Sequence, residues 1–277
     1  MIPKVIHYCW FGKNDLPEMA KKCIDSWRKY LPEYEIKEWN EDNFDVNCCD
    51  YVKEAYQAKK WAFVSDYARF KILYENGGVY FDTDVEVIKT IDDIIENGPF
   101  MGCEMNTQIN FSGKCTTIKV NPGLGIAAEP YMNFYKEVID YYNSHHFRKE
   151  DGSLDTTTIV EYTTDLLESH GYVANNEIQD VAKIRIYPVD YFCPLDYCTG
   201  VMKQTGNTRT IHWFSSTWFS QGQHMQKKIM RITSRLGRGG YIIEKVISFP
   251  VKAMNKVQEL GLKNSVVFFI KKIVNRD

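Results

Sequence analysis

Apolar and polar positions along the chain assign its elements before any other property is needed. Residues 4–11, Lys-Val-Ile-His-Tyr-Cys-Trp-Phe, form a short β-branched and aromatic run that stops at Gly12, the pattern of a buried strand. Residues 17–30 then place Met19, Cys23, Ile24 and Trp27 at helical spacing, with Pro32 as the stop. Residues 34–39 alternate apolar with charged side chains and predict a second strand. A strand, a helix and a strand in this order open an α/β domain. The clearest helix is predicted over residues 61–76, where Phe63, Tyr67, Phe70 and Tyr74 recur on one face until Gly77-Gly78 ends it. Val79-Tyr80-Phe81 follows as a buried strand, Asp82-Thr83-Asp84 interrupts it, and residues 85–88 resume an alternating pattern. Further on the periodicity weakens. Strands are expected near residues 100–103, 115–120 and 184–187, and helices near 131–142 and 158–168. A polar, Gly-containing link at residues 221–223 marks the expected end of a main domain, 1–222, and the start of a helical tail, 223–277.

Composition adds a division of charge. The net balance is only -2, but residues 224–277 hold 12 of the 34 Lys and Arg and 3 of the 36 Asp and Glu. The tail is therefore strongly basic and the body acidic, which points to two parts with different partners and argues against nucleic-acid binding by the body. The eight cysteines are scattered without paired CxxC units, so reduced thiols are expected rather than a zinc site or a disulfide framework. No basic segment followed by an apolar stretch opens the chain, and no run reaches the roughly 18 apolar residues of a membrane span. A cytoplasmic location is the expectation. Aromatic residues make up 14% of the chain, which suits stacking on bases or sugars and equally suits an aromatic core.

The candidate chemistry centres on Asp82 and Asp84. Two aspartates one residue apart are often turn formers or solvated charges. Here they follow Gly-Gly and three apolar residues, at the end of a buried strand, where an uncompensated polar group costs roughly 2–7 kcal/mol and an ion more. Charge at that position calls for a bound partner, and Mg2+ or Mn2+ held by one or two carboxylates together with substrate phosphates fits it. Ends of strands in open α/β sheets are also where ligands bind. Asp66 and Arg69 stand three residues apart on one face of the preceding helix, either as a surface ion pair or as part of the same site.

Ser65-Asp66-Tyr67-Ala68-Arg69, followed by Leu73-Tyr74-Glu75-Asn76-Gly77-Gly78-Val79-Tyr80-Phe81-Asp82-Thr83-Asp84, closely resembles the signature of glycosyltransferase family 32. This is the DxD-bearing family of capsule-type and mannosyl transferases, and the catalytic domains of sugar-transferring bacterial toxins are similar. The resemblance includes residues 2–12, Ser26-Trp27 and Trp39-Asn40, and returns at Ile211-His212-Trp213 and Ser216-Thr217-Trp218. It implies a GT-A fold: an α/β domain around one mixed sheet, with the helical tail appended.

The same resemblance assigns roles. Trp10 would stack on the nucleotide base, with a core tryptophan as the alternative. Asp66 and Arg69 would grip the donor sugar and phosphate. Asp82 would contact ribose and sugar hydroxyls, and Asp84 would hold the metal. Tyr80 would lie against the nucleoside or simply pack, Ser65 and Asn121 are counted with the donor contacts, and Asn121-Pro122-Gly123 would shape the acceptor side. His212 would complete the metal shell or touch the diphosphate, unless it is a satisfied, partly buried side chain. Trp218 would donate its indole N–H to the leaving diphosphate. The implied activity is metal-dependent, retaining transfer of a hexose from a nucleotide-sugar, UDP-hexose first and GDP-mannose next. The acceptor would be a glycan or polyprenyl-linked glycan in capsular or other surface polysaccharide synthesis.

In the tail, Lys227, Lys228, Arg231, Arg235 and Arg238 accompany Met225, Ile229, Ile232 and Leu236, and a second stretch runs through Phe249 and residues 266–270 to Lys271-Lys272. Such a segment is either a peripheral contact with an anionic membrane or an ordinary helical cap. Two rival functions remain at this level. A haloacid-dehalogenase-type phosphatase also uses Asp-x-Asp after an apolar strand, but Glu86 stands where that family wants Thr or Val. A non-catalytic nucleotide-sugar binder would use the same residues without transfer.

Overall fold

The computed structural model describes residues 1–110, 113–217, 219–237, 239–251, 253 and 254. In chain order the elements are β1 (Val5–Cys9), α1 (Glu18–Tyr30), β2 (Glu35–Trp39), α2 (Asp50–Gln57), α3 (Trp61–Asn76), β3 (Gly78–Tyr80), β4 (Val85–Val87), α4 (Asp92–Ile95), β5 (Phe100–Asn110), β6 (Gly113–Val120), β7 (Ile126–Ala128), α5 (Asn133–Asn143), α6 (Ile159–Ser169), β8 (Gln179–Val181), β9 (Ile184–Tyr187), α7 (Val189–Phe192), β10 (Thr210–His212) and α8 (Gln221–Thr233). The strongly periodic elements lie where the apolar pattern puts them. Those it missed, α2, α4, β7, β8, α7 and β10, are short, and three residues of strand carry almost no period of their own. β5 runs eleven residues instead of the four expected, because its second half is polar and lacks the apolar signal.

The main sheet has the order β2-β1-β3-β7-β5-β9-β8, with β6 beside β5. It is mixed: β1 runs parallel to β2 and β3, β7 antiparallel to β3 and β5, and β9 parallel to β5. The fold class is therefore mixed α/β, as expected. The chain divides into two compact units, the first holding residues 1–105, 117–196 and 202–215, the second 106–116, 197–201 and the chain from 216 onward.

Within the first unit α3 is a central helix rather than a surface one. Phe63, Val64, Tyr67, Ala68, Phe70, Ile72 and Leu73 are all buried, and Asp66 and Arg69 are buried with them. Burial on nearly every side means that the one-face pattern read from the sequence understates it. A fully buried Phe or Leu contributes roughly 1.5–3 kcal/mol, so α3 anchors the unit.

The turn after α3 explains Gly77-Gly78. Both have positive φ, 66° and 97°, and a Cβ on Gly78 would lie 2.7 Å from the Val5 carbonyl and 3.0 Å from His7 Nε2. Only glycine lets β3 come this close to β1 in the required conformation. β3 and β4 do not pair with each other. β3 belongs to the main sheet, whereas β4 pairs antiparallel with β10 in a second, two-stranded sheet. The chain crosses between sheets at Asp82-Thr83-Asp84, and β4 is fixed from behind by α1: the fully buried Trp27 donates from Nε1 to Val85 O at 2.7 Å, and Val87 N donates to Ser26 Oγ at 2.9 Å.

His7, on β1, ties these parts together. Trp39 Nε1–H donates to its Nδ1 at 3.0 Å, so Nε2 carries the proton and donates to Gly77 O, also at 3.0 Å. This arrangement requires the neutral ring. Burial pushes the pKa down from 6.5 to about 4, against the pull of the Gly77 carbonyl and with a further push from Lys37. A depressed histidine stabilises the fold fully above its unfolded pKa, and that contribution is lost as pH falls through the folded value. As pH drops from 6.5 to 4, the stability difference between wild type and His7→Gln, measured by urea unfolding, is expected to shift by about 3 kcal/mol in favour of the variant.

Candidate active site

The site forms where the parallel strands β1 and β3 end side by side. α3 delivers Asp66 and Arg69 there, three residues apart and therefore on one face of the helix. Arg69 Nη2 lies 2.9 Å from Asp66 Oδ1 and 3.2 Å from Asp82 Oδ1, with the Arg69 side chain 4% exposed. Its Nε donates to Ser65 O at 3.2 Å, and the guanidinium carbon sits 4.9 Å from the centroid of the Tyr80 ring. Of the two alternatives, a surface ion pair or part of the same site, the geometry agrees with the second: the pair is buried and shared with the first aspartate of the DxD. Burial opposes the charge on Arg69, but Asp82, Tyr80 and Asp66 outweigh it and raise its pKa. Burial pushes the Asp66 carboxyl up to about 7 despite the pull of Arg69.

Asp82 keeps 29% of its side-chain surface open, while protein surrounds the rest. Tyr80 donates its hydroxyl to Asp82 Oδ1 at 3.1 Å, and Asp82 N donates to Gly123 O at 3.0 Å. Burial raises the Asp82 pKa, with Arg69 opposing and Asp84 adding to the rise. Gly123 faces the carboxylate so closely that a Cβ there would stand 2.0 Å from Oδ2. Its N–H donates to Asn121 Oδ1 at 2.7 Å, and Asn121 Nδ2 donates to Glu104 Oε2 at 2.7 Å. The Asn121-Pro122-Gly123 loop therefore borders Asp82.

Asp84 is held by residues about 130 positions later. His212 Nε2 lies 3.1 Å from Oδ1, Ser215 N and Oγ donate to Oδ2 at 2.7 and 3.0 Å, and Trp213 N donates to the Asp84 carbonyl at 3.0 Å. The β4–β10 register makes this possible by pairing Val85 with His212. Burial pushes the Asp84 acid up, but His212 and the Ser215 donors more than offset it and hold the carboxyl below the usual range. Burial pulls His212 down, and Asp84, Asp82 and Glu104 raise it above its ordinary value.

Asp82, Asp84 and His212 offer one ligand atom each within 4.8 Å of one another, the one such group among the described residues. Three ligand atoms grouped this closely would hold a small divalent ion together with substrate oxygens. The fit has a further sign: His212 Nδ1 is buried with no hydrogen-bond partner. Two carboxylates and an imidazole suit Mg2+ or Mn2+ and not a thiolate-loving ion.

Other expected residues are placed differently. The Ser65 hydroxyl bonds back to Trp61 O at 3.2 Å within its own helix, so its carbonyl rather than its hydroxyl supports Arg69. Trp10, just beyond β1, is partly buried against the core and donates from Nε1 to Asn14 O at 2.6 Å. Trp218 and residues 266–272 lie outside the described residues. Sequence reasoning missed Ser215 and Glu104. Glu104 carried a usable signal, because it follows the apolar run Phe100-Met101-Gly102-Cys103 just as the aspartates follow theirs. Burial raises its pKa, while Asn121 and His212 pull it back.

Residues 17–101 match the family described as a glycosyltransferase sugar-binding region containing a DXD motif. The match takes in Ser26, Trp27, Asp66, Arg69, Asp82 and Asp84, and leaves Asn121, His212 and Ser215 outside. Inositol phosphoceramide mannosyltransferase 3 of Schizosaccharomyces pombe is 32% identical over 102 residues, which is 34% of this chain and 27% of that protein. An uncharacterized glycosyltransferase of Acanthamoeba polyphaga mimivirus is 30% identical over 106 residues, covering 36% of this chain and 42% of its own. The chain thus spans less than half the length of these curated relatives. Among solved structures, the PaToxG glycosyltransferase aligns with a TM-score of 0.44 and 18% identity over 61% of this chain and 69% of its own. Segment 17–101 is thus similar to glycosyltransferase sugar-binding regions, and Asp82-Thr83-Asp84 is the DXD within it.

Arg69→Ala is expected to destabilise the fold by about 3–5 kcal/mol in denaturant titration, because it leaves Asp66 and Asp82 facing each other without a cation.

Proposed function

We propose that this chain, built around a glycosyltransferase sugar-binding region, moves a hexose from a nucleotide-sugar to a glycan or polyprenyl-linked glycan, using Mg2+ or Mn2+. The observation that carries the reading is the convergence of Asp82, Asp84 and His212 beside the buried Arg69. Breaking the bond between a sugar and a diphosphate builds negative charge on the leaving oxygens, and fixed positive charge aimed at them is usually the largest catalytic contribution. A divalent ion held by Asp84, Asp82 and His212 would supply such charge. Arg69 would supply more, its orientation set by Asp66 and the Ser65 carbonyl before any ligand arrives. Asp82, partly open and bonded by Tyr80, would receive sugar or ribose hydroxyls. Trp10 would flank the nucleoside and Asn121 would border the donor sugar through Gly123, whereas Tyr80, fully buried beneath the Arg69 guanidinium, packs rather than meeting the nucleoside.

Retention of anomeric configuration is part of the proposal. Asp66, Asp82 and Asp84 are each engaged by a cation or by N–H and O–H donors, which argues against any of them as a nucleophile. The leaving phosphate would then take the proton from an acceptor hydroxyl on the same face. UDP-hexoses are the first donors to try. The name of the fission-yeast relative, a mannosyltransferase acting on inositol phosphoceramide, makes GDP-mannose the second and supports a lipid-borne acceptor. Work at the cytoplasmic side of the membrane, in surface polysaccharide synthesis, completes the reading.

A panel of UDP- and GDP-sugars incubated with Mn2+ is expected to show hydrolysis of one donor by the wild-type chain. Asp84→Ala should lower that rate by about 10²–10³-fold or more, and should also lose the thermal stabilisation given by Mn2+ with UDP. Gly123→Ala should weaken the same stabilisation by displacing the Asp82 carboxylate. Turnover by Asp84→Ala within a few-fold of wild type would remove the metal role, and an intact donor throughout would favour a binding protein.

A further inference from the structure

The second unit turns its helix the wrong way round for water. Residues 239–251 are helical. Gly240 and Ser248 are its buried positions, with Ser248 bonding to Glu244 one turn back. The large aliphatic side chains face out: Ile242, Ile243, Val246 and Ile247 are 55%, 42%, 68% and 52% exposed. Their spacing makes one wide face on two successive turns. On α8 and the turn after it, Met225, Ile232 and Leu236 are open as well, at 53%, 67% and 57%. Single exposed aliphatics are ordinary, but a contiguous outward set, with small and polar residues turned inward, marks an interaction surface.

Charge decides what fits this surface. Residues 224–254 contain seven Lys and Arg and one acidic residue, and Lys228, Arg235 and Lys245 are exposed. A second copy of the chain would bring two such basic faces together. Residues 255–277, with five basic and two acidic side chains, add to this positive charge instead of balancing it. A surface that is apolar beneath and anionic at its rim satisfies both features at once.

We infer that the outward face of residues 239–251, which lies in a strongly basic stretch of the chain, docks on an anionic lipid surface. The aliphatic side chains enter the boundary between headgroups and acyl chains, and the Lys and Arg side chains stay among the headgroup phosphates. The inference deepens the transferase reading by placing the chain where a lipid-linked acceptor lies, but the docking itself needs no catalysis.

The test is co-sedimentation of the full chain with vesicles of phosphatidylcholine alone and of phosphatidylcholine with phosphatidylserine. Wild type is expected to sediment with the anionic vesicles and to stay in solution with the neutral ones. Ile243→Asp combined with Ile247→Asp should abolish binding, and Lys228→Gln and Lys245→Gln should each weaken it about fivefold. All variants should keep wild-type circular dichroism and Mn2+-dependent donor hydrolysis. Three results would overturn the inference: no sedimentation of wild type, equal binding by the isoleucine variant, or lipid-free oligomers that this variant dissolves. Loss of donor hydrolysis in every form, with vesicle binding intact, would strike the transferase reading and leave the docking surface standing.

Discussion

A guanidinium buried between two carboxylates governs how the rest of the site is built. Arg69, at 2.9 Å from Asp66 and 3.2 Å from Asp82, lets two acidic side chains approach one another inside a crowded interior. Desolvating each ion costs several kcal/mol, and attraction of about 4 kcal/mol per close pair at moderate effective dielectric offsets it only when the geometry is held. The holding is supplied from several sides: α3 fixes the spacing of Asp66 and Arg69, the Tyr80 ring lies under the guanidinium, and the Tyr80 hydroxyl bonds Asp82. The result is an acidic position kept ready at a strand end, open enough to meet a ligand.

A second constraint is topological. The DxD lies where the chain leaves the main sheet and enters the small β4–β10 sheet, so its two aspartates answer to different neighbours. Asp82 belongs to the Arg69 side, and Asp84 to His212 and Ser215. Electrostatics follow the same division, with the Asp82 carboxyl raised and the Asp84 carboxyl lowered. Two identical residues two positions apart in sequence are thereby made unequal, which is what a site needs if one is to bind hydroxyls and the other a cation. The supporting parts are far from the chemistry: Trp27 and Ser26 fix β4, and Gly77-Gly78 lets β3 close on β1. The tail is built differently, with exposed aliphatics beside a surplus of cations.

What the sequence determined by itself was local. The span of α3, the strands before and after Gly77-Gly78, and the charge at a buried strand end were legible because periodicity and glycine punctuation act over a few residues. What tertiary structure alone decided was which distant groups meet. β10 is three residues long, with too little pattern to announce itself, yet its pairing with β4 brings His212 across 128 positions to Asp84, and Ser215 follows. The burial of Asp66 with Arg69 was equally hidden, because a helix enclosed on nearly all sides shows the same spacing as a surface one. The face that the tail leaves open was also undecided by its pattern, since amphipathic spacing gives the width of an apolar stripe and only packing says whether it points in or out.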